Sequence, residues 1–88
     1  MSDAPWRVEL SRGAQRDLRR LDPQVRRRVE RALRDLAAGR ATRGERKLTG
    51  SGEWRLRVGD WRVRFERDAE KRAILVVRIL PRGRAYER

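Results

Sequence analysis

The stretch Trp54-Arg55-Leu56-Arg57-Val58-Gly59-Asp60-Trp61-Arg62-Val63-Arg64-Phe65 leaves the chain few choices. Apolar residues alternate with arginines on both sides of Gly59-Asp60. A period of two, interrupted at its midpoint by a Gly-containing dipeptide, is the pattern of a β-hairpin. A two-residue turn also sets the register, because loop length and pairing are linked. It places Val58 opposite Trp61, Arg57 opposite Arg62, Leu56 opposite Val63, Arg55 opposite Arg64 and Trp54 opposite Phe65. One face is then wholly apolar and the other carries four arginines. Like charges directly opposite on neighbouring strands are destabilising. Stability alone would not select this face, so it reads as a surface that meets a polyanion.

The rest of the composition narrows the chemistry. With 88 residues the chain is expected to form one small domain, 1–88, with a modest core. It contains no cysteine and no histidine. Disulfides, thiolate or imidazole metal sites and Ser-His or Cys-His nucleophile pairs are therefore excluded. There are 25 basic against 13 acidic residues, a formal charge of +12, and every basic residue except Lys47 and Lys71 is arginine. Such a balance favours nucleic acid or an acidic protein as partner. Because arginine is abundant throughout, placement carries more information than the total. The N-terminal segment lacks a basic region followed by an apolar run, and no stretch reaches membrane-spanning length. A cytoplasmic protein with no membrane partner is expected.

Taken in order, Trp6 to Leu10 alternates and reads as a first strand. Ser11 offers an N-cap to a short amphipathic helix with Ala14, Leu18 and Leu21 on its buried side. Asp22-Pro23 starts a second helix, the aspartate as cap and the proline at the first helical position. Val25, Val29, Ala32, Leu33 and Leu36 form its apolar stripe, and Gly39 stops it. The other side of this helix, with Arg26, Arg27, Glu30, Arg31, Arg34 and Asp35, reads as a solvated face with i, i+4 ion pairs. Residues 40–52, with Gly44, Gly50 and Gly52, read as a loop in which Leu48 is a plug on the core. After the hairpin, Asp68 to Arg72 is a polar turn. Ala73 to Leu80 is nearly unbroken in apolar character, which suggests a strand covered on both faces. Pro81 ends it, and Arg82 to Arg88 is expected to be an irregular or weakly extended tail along the arginine face. The fold class expected is α+β, in the order β-α-α-β-β-β, with two N-terminal helices packed on one face of a mainly antiparallel sheet.

Phosphodiester cleavage needs an aligned hydroxyl, stabilisation of charge growing on the phosphate, and proton transfer. Guanidinium groups serve the second need well, being always charged and forked to match phosphate oxygens. They serve the third poorly. Tyr86, the only tyrosine, either donates a proton or stacks on a base. Asp60 is read as a turn residue, and Trp6, Trp54 and Trp61 as core.

Arg57-Val58-Gly59-Asp60-Trp61-Arg62 resembles the R-x-G-D-Y-R signature of the RelE/ParE superfamily of type II toxins, and Arg82-Gly83-Arg84-Ala85-Tyr86 resembles its closing R-x-x-x-Y. Leu10-Ser11 with Ala14 and Leu18, Leu21-Asp22, and Lys47-Leu48 with Gly50 stand in the same order as in that family. The resemblance implies a RelE-like fold and a toxin held inactive by a cognate, acidic antitoxin in a hetero-oligomer. In its RelE branch it implies entry into the ribosomal A site and cleavage of mRNA by the ribose 2′-OH, without metal or cofactor. It implies catalytic roles for Arg57, Arg62, Arg82 and Tyr86 and substrate binding by Arg55; Arg64, Arg84 and Lys47 are read as further substrate-binding residues. Arginine replaces the family's lysine at positions 55 and 57, Pro81 stands where relatives often have histidine, and Trp61 replaces a tyrosine. Two other readings are a ParE-like toxin that inhibits DNA gyrase, and a non-catalytic nucleic-acid binder.

Overall fold

The computed structural model describes residues 4–40, 45–47 and 52–84. Ser11 caps helix α1 (Arg12–Arg20) as expected, its Oγ accepting from the Ala14 N–H at 3.0 Å. Helix α2 (Pro23–Ala37) has Pro23 in its first turn, where a fixed φ and a missing N–H cost nothing. Asp22 occupies the N-cap position, but its side chain makes no capping hydrogen bond, contrary to the sequence reading. Gly39 ends the helix with φ +74°, its N–H donating to the Leu36 carbonyl at 3.1 Å.

The strands are β1 (Arg7–Leu10), β2 (Glu45–Lys47), β3 (Glu53–Val58), β4 (Trp61–Asp68) and β5 (Ala73–Pro81), followed by one 3₁₀ turn, Arg82–Arg84. They form a sheet in the order β1-β5-β4-β3-β2, in which β1 and β5 are parallel and the other pairs antiparallel. All five hairpin pairs anticipated from the turn length occur, from Val58 with Trp61 to Trp54 with Phe65.

Three expectations need correction. Residues 40–52 are not loop throughout, because Glu45–Lys47 lies along β3 as an edge strand. This three-residue strand has no apolar alternation to announce it; backbone pairing alone defines it. Leu48 lies outside the described residues. The last strand is central, between β1 and β4, yet it is not covered on both faces. Leu75 is 38% exposed, on the side away from Ile74 and Val76. Finally, the tail begins as a 3₁₀ turn rather than an extended segment.

The buried layer lies between the helices and one sheet face, with Ala14, Val29, Leu33 and Leu36 against Leu56, Val63, Phe65, Ile74, Val76 and Ile79. Trp54 and Trp61 are only half-buried at its rim. The Arg67 guanidinium covers the Trp54 ring at 4.2 Å from its centroid and reaches the Phe65 ring at 5.3 Å, a cation–π contact. Among the described residues no helix is long and apolar enough to cross a membrane.

Gly59 is held by two constraints at once. Its φ is +58°, and a Cβ there would stand 3.0 Å from Nη2 of Arg28 on α2. Gly59→Ala is therefore expected to destabilise the protein by about 1–2 kcal/mol, through left-handed backbone strain in a side-chain-bearing residue. The effect is read as a lower urea midpoint at unchanged slope.

Candidate nucleic-acid interface

Strand register carries the arginines across the open face of the sheet in two rows. Arg46, Arg55, Arg64 and Arg78 are successive partners on β2, β3, β4 and β5. Arg57 and Arg62 are partners on β3 and β4, with Leu80 of β5 completing that row. Neighbouring strands are about 4.8 Å apart, so the cations are closely spaced.

Several contacts relieve the crowding. Arg64 forms an ion pair with Glu53, whose side chain is 16% exposed. Arg62 Nη1 donates to the carbonyls of Gly59 and Trp61, both at 3.0 Å, folding its guanidinium back onto the turn. Arg78 turns toward α1, where the Asp17 carboxylate accepts from its Nε at 2.7 Å and its Nη2 at 3.2 Å. Arg57 is exposed.

Arg82 arrives at the same end of the sheet. Its N–H donates to the Asp60 carbonyl at 2.8 Å, one residue beyond the Trp61–Pro81 pair, and its side chain is exposed. The structure thus brings Arg57, Arg62 and Arg82 together around the hairpin turn, with Arg55 and Arg64 one row away. It does not bring Lys47 to them. Lys47 is the partner of Trp54 and so lies on the helix-side face, while Arg46 beside it takes the place in the arginine row. Tyr86 and the side chain of Arg84 lie outside the described residues. Sequence reasoning missed Arg46 and Glu53. The parity of Glu53 with Arg55 and Arg57 was the available signal for the second; nothing marked the first, since β2 itself was not visible.

The other end of the open face is of mixed charge: Glu9 and Glu66 flank Leu75, Arg7 pairs with Glu9 at 3.1 Å, and Asp68, Glu70 and Lys71 lie near the β4–β5 turn.

One carboxylate is clearly perturbed. Burial pushes the Asp17 carboxyl up, but hydrogen bonds from Arg78 and the Ile79 amide, with the nearby charges of Arg78 and Arg20, outweigh it and hold the group below its usual 3.8. A carboxyl lowered on folding adds stability above its unfolded pKa, and that stability is lost as pH falls through the folded value. Acid unfolding of the wild type is expected to be steeper below about pH 4 than that of Asp17→Asn, as followed by circular dichroism.

Two helices on one face of this sheet define the RelE-like toxin fold. The chain is similar to the toxin in the RelBE2 toxin–antitoxin complex of Mycobacterium tuberculosis, with 25% identity, 91% of this chain and 94% of that one covered, and a TM-score of 0.78. It is also similar to the archaeal RelE–RelB complex of Pyrococcus horikoshii, with 27% identity, 93% and 100% coverage, and a TM-score of 0.75. The isolated RelE toxin of E. coli shares the fold at 13% identity, 92% and 88% coverage, and a TM-score of 0.77. No curated protein matches the sequence. The model of the ParE toxin of type II toxin–antitoxin systems, parDE, matches residues 8–86. The chain belongs to that family, within the RelE/ParE superfamily, and is the toxin component of a type II toxin–antitoxin system.

Proposed function

We propose that this toxin is a ribosome-dependent endoribonuclease that enters the A site and cleaves mRNA by attack of a ribose 2′-OH on the adjacent phosphate. The products are a 2′,3′-cyclic phosphate and a 5′-OH. The observation that carries this reading is the meeting of Arg57, Arg62 and Arg82 at one end of the open sheet face. Three guanidinium groups there bind the scissile phosphate and offset the charge that grows on it. Arg55, Arg64 and Arg84 hold the flanking backbone, with Arg46 in the position first given to Lys47. Tyr86, four residues beyond Arg82, protonates the leaving oxygen or stacks on a base. A guanidinium group is a poor general base at neutral pH. The 2′-OH proton therefore passes to a group of the ribosome–mRNA complex. The toxin–antitoxin complexes among its structural neighbours support a cognate antitoxin as the second partner, an acidic chain suited to the +12 surface.

Purified toxin added to ribosomes programmed with a defined mRNA should give new 5′-OH ends in the A-site codon. Intact mRNA under full growth arrest would refute the assignment. A second reading is ParE-like inhibition of DNA gyrase, kept because the matching family model is that of the ParE toxin. Loss of supercoiling by purified gyrase in the presence of the toxin, with mRNA intact, would establish it instead.

A further inference from the structure

Strand β5 is nine residues long, but β1 pairs only with its first four, Ala73 to Val76. Among the described residues, no strand lies beside its outer edge from Val77 onward. Backbone groups so placed need other partners, and α1 supplies them. The Ser11 N–H donates to the Val76 carbonyl at 2.9 Å, and Ser11 Oγ donates to the Val77 carbonyl at 2.6 Å. The Ile79 N–H donates to Asp17 Oδ2 at 2.9 Å, and the same carboxylate holds the Arg78 guanidinium through two nitrogens. The Asp17 side chain is 11% exposed against 45% for Arg78. Gly13 makes the approach possible, because a Cβ there would stand 2.9 Å from Cδ of Arg78. Helix α1 thus stands in for a missing strand.

Two consequences follow for the arginine face. Arg78, the partner of Arg64, is neutralised by a helix residue and drawn out of its row. The end of β5 is also held on two sides, by Asp17 at Ile79 and by the Asp60 carbonyl at Arg82. We propose that Asp17 is a positioning residue: through the Ile79 amide and the Arg78 guanidinium it fixes where β5 leaves the sheet, and so where Arg82 stands relative to Arg57 and Arg62. Its functional readout rests on the endoribonuclease reading above; its structural readout does not.

The test compares full-length Asp17→Ala, Asp17→Asn and Arg78→Met toxins with the wild type by amide hydrogen exchange and by single-turnover cleavage on programmed ribosomes. In Asp17→Ala, exchange at Ile79 to Arg82 should quicken by about tenfold while α2 and β3 amides keep their protection. Cleavage at saturating toxin should slow by roughly ten- to a hundredfold with little change in half-saturating concentration, as expected when a phosphate ligand is displaced rather than removed. Asp17→Asn, which keeps an oxygen acceptor for the Ile79 N–H, should recover most of both. Arg78→Met, which removes one of the two ties, should keep protection at Ile79; if Asp17→Ala does not fold, Asp17→Ser, too short to reach the Ile79 N–H, replaces it with the same local loss expected. Uniform loss of protection across the sheet, or wild-type cleavage alongside local loss at Ile79 to Arg82, would overturn the proposal. If the wild type itself does not cleave, the endoribonuclease reading fails. The exchange pattern then decides the clamp: protection lost locally supports it, and protection unchanged in Asp17→Ala refutes it.

Discussion

Replacing Arg82 by alanine is expected to lower mRNA cleavage on programmed ribosomes by about 10²–10³-fold, the cost of removing one charge-stabilising donor from a phosphoryl-type transition state. Stability should barely change. The structural tie at this position runs through the Arg82 N–H to the Asp60 carbonyl, which alanine retains, and the side chain is exposed. Affinity for the antitoxin should fall only by the contribution of one surface charge. Toxicity on induction, cleavage rate and a thermal melt together separate loss of chemistry from loss of fold. A second substitution, Tyr86→Phe, divides the two roles open to that tyrosine. A stacking role survives the loss of the hydroxyl, whereas a proton donor does not.

The largest effect on stability is expected at Phe65. Its side chain is fully buried, pairs with Trp54 at 6.4 Å between ring centroids and lies beneath the Arg67 guanidinium. Phe65→Ala removes this packing and leaves a cavity at the centre of the sheet, at a cost of about 3–5 kcal/mol. In a chain of this size each kcal/mol shifts the melting temperature by about 4–8 °C, so a fall of roughly 15–30 °C is expected in calorimetry. Leu75, apolar but exposed on the open face, provides the contrast. Leu75→Ala should stay within about 0.5 kcal/mol of the wild type. A large loss there would mean that the open face is covered in solution.

The hairpin was legible because its information is local. A two-residue turn and a period of two determine pairing without reference to the rest of the chain. Both helices were legible for the same reason, from the Ser11 cap of the first, Pro23 at the start of the second and the 3.6-residue recurrence of apolar side chains in each. The short strand β2 was not, since three polar residues carry no periodicity, and only the exposed edge of β3 makes them a strand. With it went the faces of its residues: the register puts Arg46 in the arginine row and Lys47 on the helix side, because neighbouring residues of a strand point to opposite sides.

By itself the sequence determined an α+β chain with one hairpin whose faces differ completely, apolar against cationic, and a terminal segment bearing Arg82. Only the tertiary structure decided which of those arginines are held by groups of the protein itself. Glu53 neutralises Arg64, Asp17 withdraws Arg78, Arg62 folds onto the turn, and Arg82 is tied by its N–H to Asp60 in that turn. Counting charges along the chain cannot separate paired arginines from available ones. Their availability depends on carboxylates and carbonyls brought close by long-range packing, as with Asp17 and Arg78, which lie on different elements and meet at 2.7 Å.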